Sequence, residues 1–277
     1  MATLRRQRRR AGLLADTLTR LQCNPIDRSE SSRWASSSST SRHSNGPLCV
    51  LRDAAAPGTM PHTHDSQSPT PREALHRLLE GNARFLQNTG HTASRAWRSD
   101  LGASVQRPFA TILGCSDSRT PVEIIFDQGL GDLFVIRVAG NIVAPSITGS
   151  IEFAASQFGP RLVVVLGHTN CGAINATVRA IQTGDSSESR NIRSITDRIT
   201  PHIVELVEAA SGVAESDPQQ LLREATRANV RASADHLRHA SQILEDLVLE
   251  RRVVVVGAEY DLATGKVHFF DGAAQLL

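Results

Sequence analysis

From Thr70 onward the chain sets apolar residues at regular spacing; before that point it does not. Ala74, Leu75, Leu78, Leu79 and Phe85 recur near helical spacing. The preceding Thr70-Pro71-Arg72-Glu73 has the form of a capping box, with proline at the first helical position. Together they predict a helix over 71–87. Polar residues 88–106 form a connection that is long for a compact domain. Beyond Pro108, short apolar runs alternate with longer amphipathic stretches. Strands are expected at Phe109–Leu113, Leu133–Val138, Leu162–Gly167, Val253–Gly257 and Val267–Phe270. Helices are expected at Pro121–Phe126, Ile147–Phe158 and Gly172–Gln182, and then over 192–211 and 218–249, broken by Pro201 and Pro218. Strands alternating with helices imply an α/β fold, a mostly parallel central β-sheet flanked by helices on both faces.

Residues 1–69 have another character. They open on R-R-Q-R-R-R, pass through a serine stretch around Ser36–Ser41, and hold ten Arg against four acidic residues up to Thr59. Their apolar residues keep no sustained period, so little core offsets the entropy of ordering, and a disordered leader is expected. Three readings stay open for it: an organellar transit peptide, a basic tail for nucleic acid or anionic lipid, or a leader without function, the true start being Met60. Residues 70–277 form the one folded domain.

Composition narrows the classes. No apolar run approaches the roughly 18 residues of a membrane span, and a formal charge of +2 calls for no polyanionic partner, so neither a membrane nor a nucleic acid is expected. Four cysteines, Cys23, Cys49, Cys115 and Cys171, are too few and scattered for a secreted disulfide framework. Metal binding in a reducing, cytoplasmic setting fits better, or an organellar one if the leader is a transit peptide.

The ends of two expected strands carry the chemistry: Cys115-Ser116-Asp117-Ser118-Arg119 after the first, and Gly167-His168-Thr169-Asn170-Cys171-Gly172 after the third. In a parallel sheet both open onto the same edge, where ligands gather. Thiolate and imidazole suit zinc, and Cys115, His168 and Cys171 leave the fourth tetrahedral position for water, the catalytic rather than the closed arrangement. His-x-x-Cys alone is a weak signal; its conjunction with C-x-D-x-R, each directly after a strand, is strong. Asp117 has two readings: it accepts a hydrogen bond from water beside the metal, held by Arg119, or it binds zinc as a fourth ligand and shuts the site.

At these residues the chain resembles the beta-class carbonic anhydrases, through A-L-H-R-L-L-E-G-N-A-R-F (Ala74–Phe85), C-S-D-S-R, G-D-L-F-V-I-R-V-A-G-N (Gly131–Asn141), G-S-I-E-F-A (Gly149–Ala154) and G-H-T-N-C-G-A (Gly167–Ala173). The resemblance covers residues 70–277. It implies zinc-dependent hydration of carbon dioxide to bicarbonate, with Cys115, His168 and Cys171 as ligands and Asp117 with Arg119 as a catalytic dyad. It also implies a homodimer built on an N-terminal helical arm, or a dimer of dimers. Gln106 is then expected to reach the substrate across the dimer interface, Phe134 and Phe153 to line the carbon dioxide pocket, and backbone amides near Gly172 to meet the developing bicarbonate. Two departures stand out. The family's asparagine after Arg137 is Val138 here, and Ile112 replaces the tryptophan of an inhibitory bicarbonate pocket for which Arg137 and Tyr260 are matched. Two rivals remain: hydrolysis of carbon disulfide or carbonyl sulfide on the same scaffold, and a zinc-bearing scaffold without turnover. His91 is a candidate proton shuttle.

Overall fold

The structure, a computed structural model, describes residues 68–90, 106–184, 189–212 and 217–277. The leader up to residue 67 and His91 lie outside these ranges, as does most of the 88–106 connection.

Helix α1 (Pro71–Leu86) starts as the capping box requires: the Glu73 N–H donates to Thr70 Oγ1 at 3.3 Å, and the Thr70 N–H donates to Glu73 Oε2 at 2.8 Å. Its inner stripe, Ala74, Leu75 and Leu78, is fully buried, each leucine contributing roughly 1.5–3 kcal/mol. Gly81 is required by close approach, since a Cβ there would come within 1.7 Å of the Phe126 carbonyl oxygen. Asn82 ties the same turn to two other elements. Its Nδ2 donates to Ile125 O and Gly265 O, and its Oδ1 accepts from the Val267 N–H.

Then follow β1 (Ala110–Gly114), the short α2 (Val122–Ile125), β2 (Leu133–Arg137), a 3-10 turn at Ala139–Asn141, α3 (Pro145–Gln157), β3 (Leu162–His168) and α4 (Gly172–Thr183). The chain closes through α5 (Arg190–Ser211), α6 (Pro218–Arg238), α7 (Gln242–Leu249), β4 (Val254–Tyr260) and β5 (Val267–Asp271). The strands form one sheet in the order β2-β1-β3-β4-β5, parallel except for the antiparallel β4–β5 pair. β3 shows why its residues read as one unbroken apolar run. Leu162, Val164 and Leu166 face a core with α1 and α2, and Val163 and Val165 face one with α3, α6 and α7. A third core joins α4, α5 and α6 around Cys115 and Cys171.

Three expectations need correction. The stretch 218–249 is two helices, because α6 ends at Arg238 and Ser241 caps a new helix by accepting from the Leu244 N–H. Pro201 does not break α5, which runs unbroken through it; Pro201 and Asp197, whose carbonyl loses its helical donor, both lie on the exposed face, where water can take over. β4 continues three residues past Gly257, although Glu259 interrupts its apolar run. That carboxylate is buried and held by Arg227, with Nη2 to Oε2 at 2.8 Å.

Candidate metal centre

β1 leads to β2 on one side of the sheet, and β3, its other neighbour, leads to β4 on the opposite side. The two connections therefore leave in opposite directions, and the crevice at the carboxyl ends of β1 and β3 is the topological switch point. Cys115 follows the last residue of β1, and His168 is the last residue of β3. A left-handed Asn170 (φ 55) turns the chain so that Cys171 becomes the N-cap of α4. The ligand atoms of Cys115, His168 and Cys171 all lie within 4.8 Å of one another, and all three residues are buried. The two Sγ atoms are 3.9 Å apart.

His168 is set for a metal. Its Nδ1 lies 2.9 Å from the Thr169 carbonyl oxygen, so Nδ1 carries the hydrogen and donates, leaving a lone pair on Nε2. That Nε2 is buried without a hydrogen-bond partner, a costly position for a lone pair unless something binds there. The contact with Cys171 pulls the Cys115 thiol down to about 4, aided by the N–H groups of Gly140 and Asp117, against the cost of burial. Cys171 is correspondingly pushed up, by its hydrogen bond to Cys115 and by burial, while the N–H groups of Ala173 and Ile174 at the start of α4 pull the other way. Two soft sulfur donors and one free imidazole nitrogen fit a tetrahedral zinc-type ion with one position left over.

Asp117 lies beside this cluster, with Oδ2 4.0 Å from His168 Nε2. Both its oxygens are taken by Arg119: Nε to Oδ1 at 2.9 Å and Nη2 to Oδ2 at 2.7 Å, with the Arg119 N–H also on Oδ1 at 2.9 Å. These bonds hold its carboxyl well below the usual carboxylate range. Gly172 opens α4 at the same crevice, and a Cβ placed there would meet no heavy atom within 4 Å.

Other predicted residues do not converge here within one chain. Phe134 pairs in register with Thr111, four residues before Cys115, hence about 13 Å from that strand end. With Phe153 and Phe158 it forms an aromatic cluster, ring centroids 5.6–6.4 Å apart, in which Phe153 is 53% exposed. Gln106 is exposed and precedes β1, toward the edge where that strand begins.

The site also has supports that motif reading missed. Arg137 braces the first loop, donating to the carbonyls of Cys115 (2.8 Å) and Asp117 (2.5 Å) and to Thr120 Oγ1 (3.2 Å). The Gly140 N–H donates to Cys115 Sγ at 3.4 Å, and Asn229 Nδ2 donates to the Gly140 carbonyl at 2.9 Å. Arg137 is singled out by sequence only for a bicarbonate pocket, and Gly140 stands inside a quoted motif; Asn229 carries no local signal.

A buried Cys-His-Cys set that could hold a metal ion thus stands at the switch point of a parallel α/β sheet, with an arginine-held carboxylate at its rim. The carbonic anhydrase family model matches residues 110–267. The chain is 36% identical over 198 residues to a carbonic anhydrase of Mycolicibacterium smegmatis, covering 71% of this chain and 92% of that protein. It is 35% identical over 208 residues to carbonic anhydrase 2 of Mycobacterium tuberculosis, covering 75% and 93%. Its fold is similar to that of a tetrameric beta-carbonic anhydrase of Sordaria macrospora, with a TM-score of 0.56 and 22% identity over 72% of this chain and 97% of that one. The chain belongs to the beta-class carbonic anhydrases.

Proposed function

We propose that the protein hydrates carbon dioxide reversibly to bicarbonate and a proton, with zinc held by Cys115, His168 and Cys171. The observation that carries this reading is the buried, unpartnered His168 Nε2 grouped with two cysteine sulfurs. Zinc bound there supplies Lewis acidity and, by lowering the pKa of a water to about 7, a nucleophile at neutral pH.

The chain's own residues do the rest. Asp117, kept ionised by Arg119, can only accept hydrogen bonds, so it orients the attacking water rather than donating a proton to it. Arg119 occupies both carboxylate oxygens, an arrangement that favours the orienting role of Asp117 over that of a fourth ligand. The open space at Gly172 and its N–H at the start of α4 receive the developing bicarbonate oxygens. Gln106, Phe134 and Phe153 complete the pocket of a second copy. Their outward placement and the 53% exposure of Phe153 support that assignment.

Stopped-flow carbon dioxide hydration between about pH 6.5 and 9, with zinc quantified, tests the reading. Turnover at about one zinc per chain is expected, and Asp117→Ala should lower it by about 10–100-fold while the metal stays bound. A folded, zinc-loaded protein without hydration at any pH would remove carbon dioxide as substrate.

A further inference from the structure

Helix α6 buries Leu221, Ala225, Val230, Ala234 and Leu237, with Asn229 among them at 1% exposure. A polar side chain this deep calls for a reason, and its amide provides one by leaving the helix: Nδ2 donates to the carbonyl of Gly140, 89 residues away, at 2.9 Å. Gly140 in turn donates its N–H to Cys115 Sγ. One residue is thus hydrogen-bonded on both sides, to α6 and to the sulfur.

The conformation of Gly140 makes that double attachment matter. Its φ is +69, the following Asn141 has φ +42, and a Cβ at Gly140 would lie 3.0 Å from both Ala173 Cβ and Ile199 Cδ1. Two successive left-handed residues are a rare state for a free chain, so the direction of the Gly140 N–H depends on what holds the segment. An N–H aimed at a thiolate draws electron density from the sulfur and fixes its position.

We propose that Asn229 is a positioning residue of the metal centre: by holding the Gly140 carbonyl it aims the Gly140 N–H at Cys115 Sγ, and so sets how strongly that thiolate donates to the metal. The assignment rests on the zinc reading above. A purely structural Asn229 would weaken the fold when replaced and leave the metal–sulfur bond unchanged.

The test loads the full chain with cobalt(II) in place of zinc and follows the thiolate-to-cobalt charge-transfer band in the near ultraviolet, with affinity measured by chelator competition. Asn229→Leu removes the donor at similar volume, and Asn229→Ala removes it with a smaller side chain, so that one serves if the other does not fold. Ala234→Gly weakens the same helix away from Gly140. Both Asn229 variants are expected to move the band to lower energy and to bind metal about 10–100-fold more weakly, with Ala234→Gly unchanged in both respects. A wild-type band and affinity in a folded Asn229 variant, or the same shifts in Ala234→Gly, would overturn the assignment while leaving the zinc reading intact. Wild-type protein that takes up no cobalt or zinc would overturn both.

Discussion

At the carboxyl ends of β1 and β3, Cys115, His168 and Cys171 lie buried together with Asp117 and Arg119 at their rim, whereas on β2 and α3 the rings of Phe134, Phe153 and Phe158 cluster toward solvent. Both groups sit on the same sheet, yet they are completed differently. The first group needs only one chain. β1 and β3 are hydrogen-bonded neighbours in fixed parallel register, so residues that follow their last turns meet whatever surrounds them. The second group sits at a free margin, because β2 is a terminal strand of the sheet. Among the described residues no strand pairs beyond β2, and Phe153 stays 53% exposed. On the proposed reading, the difference teaches that a metal-binding core and a substrate pocket built on one fold have separate requirements, one intramolecular and the other met by association.

The largest test of that division removes a ligand. Cys171→Ser should bring zinc well below one per chain and lower hydration by at least about three orders of magnitude. Chelation of the wild type should do the same reversibly, and sedimentation should show the assembly unchanged in both cases. Loss of the assembly along with the metal would break the comparison. A smaller effect is expected on the other side. Phe153→Asp should raise the dimer dissociation constant about 10–100-fold while zinc content stays at the wild-type level. Activity should then recover as protein concentration rises, measured by analytical ultracentrifugation beside stopped-flow assays.

The smallest effect concerns the start of α1. The Thr70 backbone N–H holds the Glu73 carboxyl below its usual value of 4.5. A depressed carboxyl stabilises the fold above its unfolded pKa and loses that contribution as pH falls through the folded one. Glu73→Gln should therefore lower the urea midpoint slightly at pH 7, and the difference should shrink as pH drops below about 4.5. A gap that persists unchanged at acid pH would place the effect on side-chain shape rather than on charge.

Much of this was legible in the sequence alone. Thr70-Pro71-Arg72-Glu73 announced the start of α1 because a capping box is local chemistry, closed within four residues. The unbroken run Leu162–Leu166 announced a strand buried on both faces, and the two motifs at strand ends announced the gathering of Cys115, His168 and Cys171. The errors fall where a distant contact decides. β4 reads as ending at Gly257 unless one knows that Arg227, 32 residues away in sequence, neutralises Glu259. The break between α6 and α7 is hidden because both helices bury the same face, so the periodicity carries across the cap at Ser241. No helix among the described residues is long and apolar enough to cross a membrane, in keeping with the apolar run lengths.

By itself, then, the sequence determined the element order, the parallel sheet and which three side chains could together hold a metal ion. Each follows from spacing along the chain: period two or 3.6 for the elements, and fixed offsets from strand ends for the donors. Only the tertiary structure decided that His168 presents a bare Nε2, that Arg119 takes both oxygens of Asp117, and that Asn229 reaches Gly140 beneath Cys115. Those outcomes depend on side-chain direction and on contacts up to 89 residues apart. Such contacts leave no periodic trace, because each is made once, by one pair of atoms, after the sheet has closed.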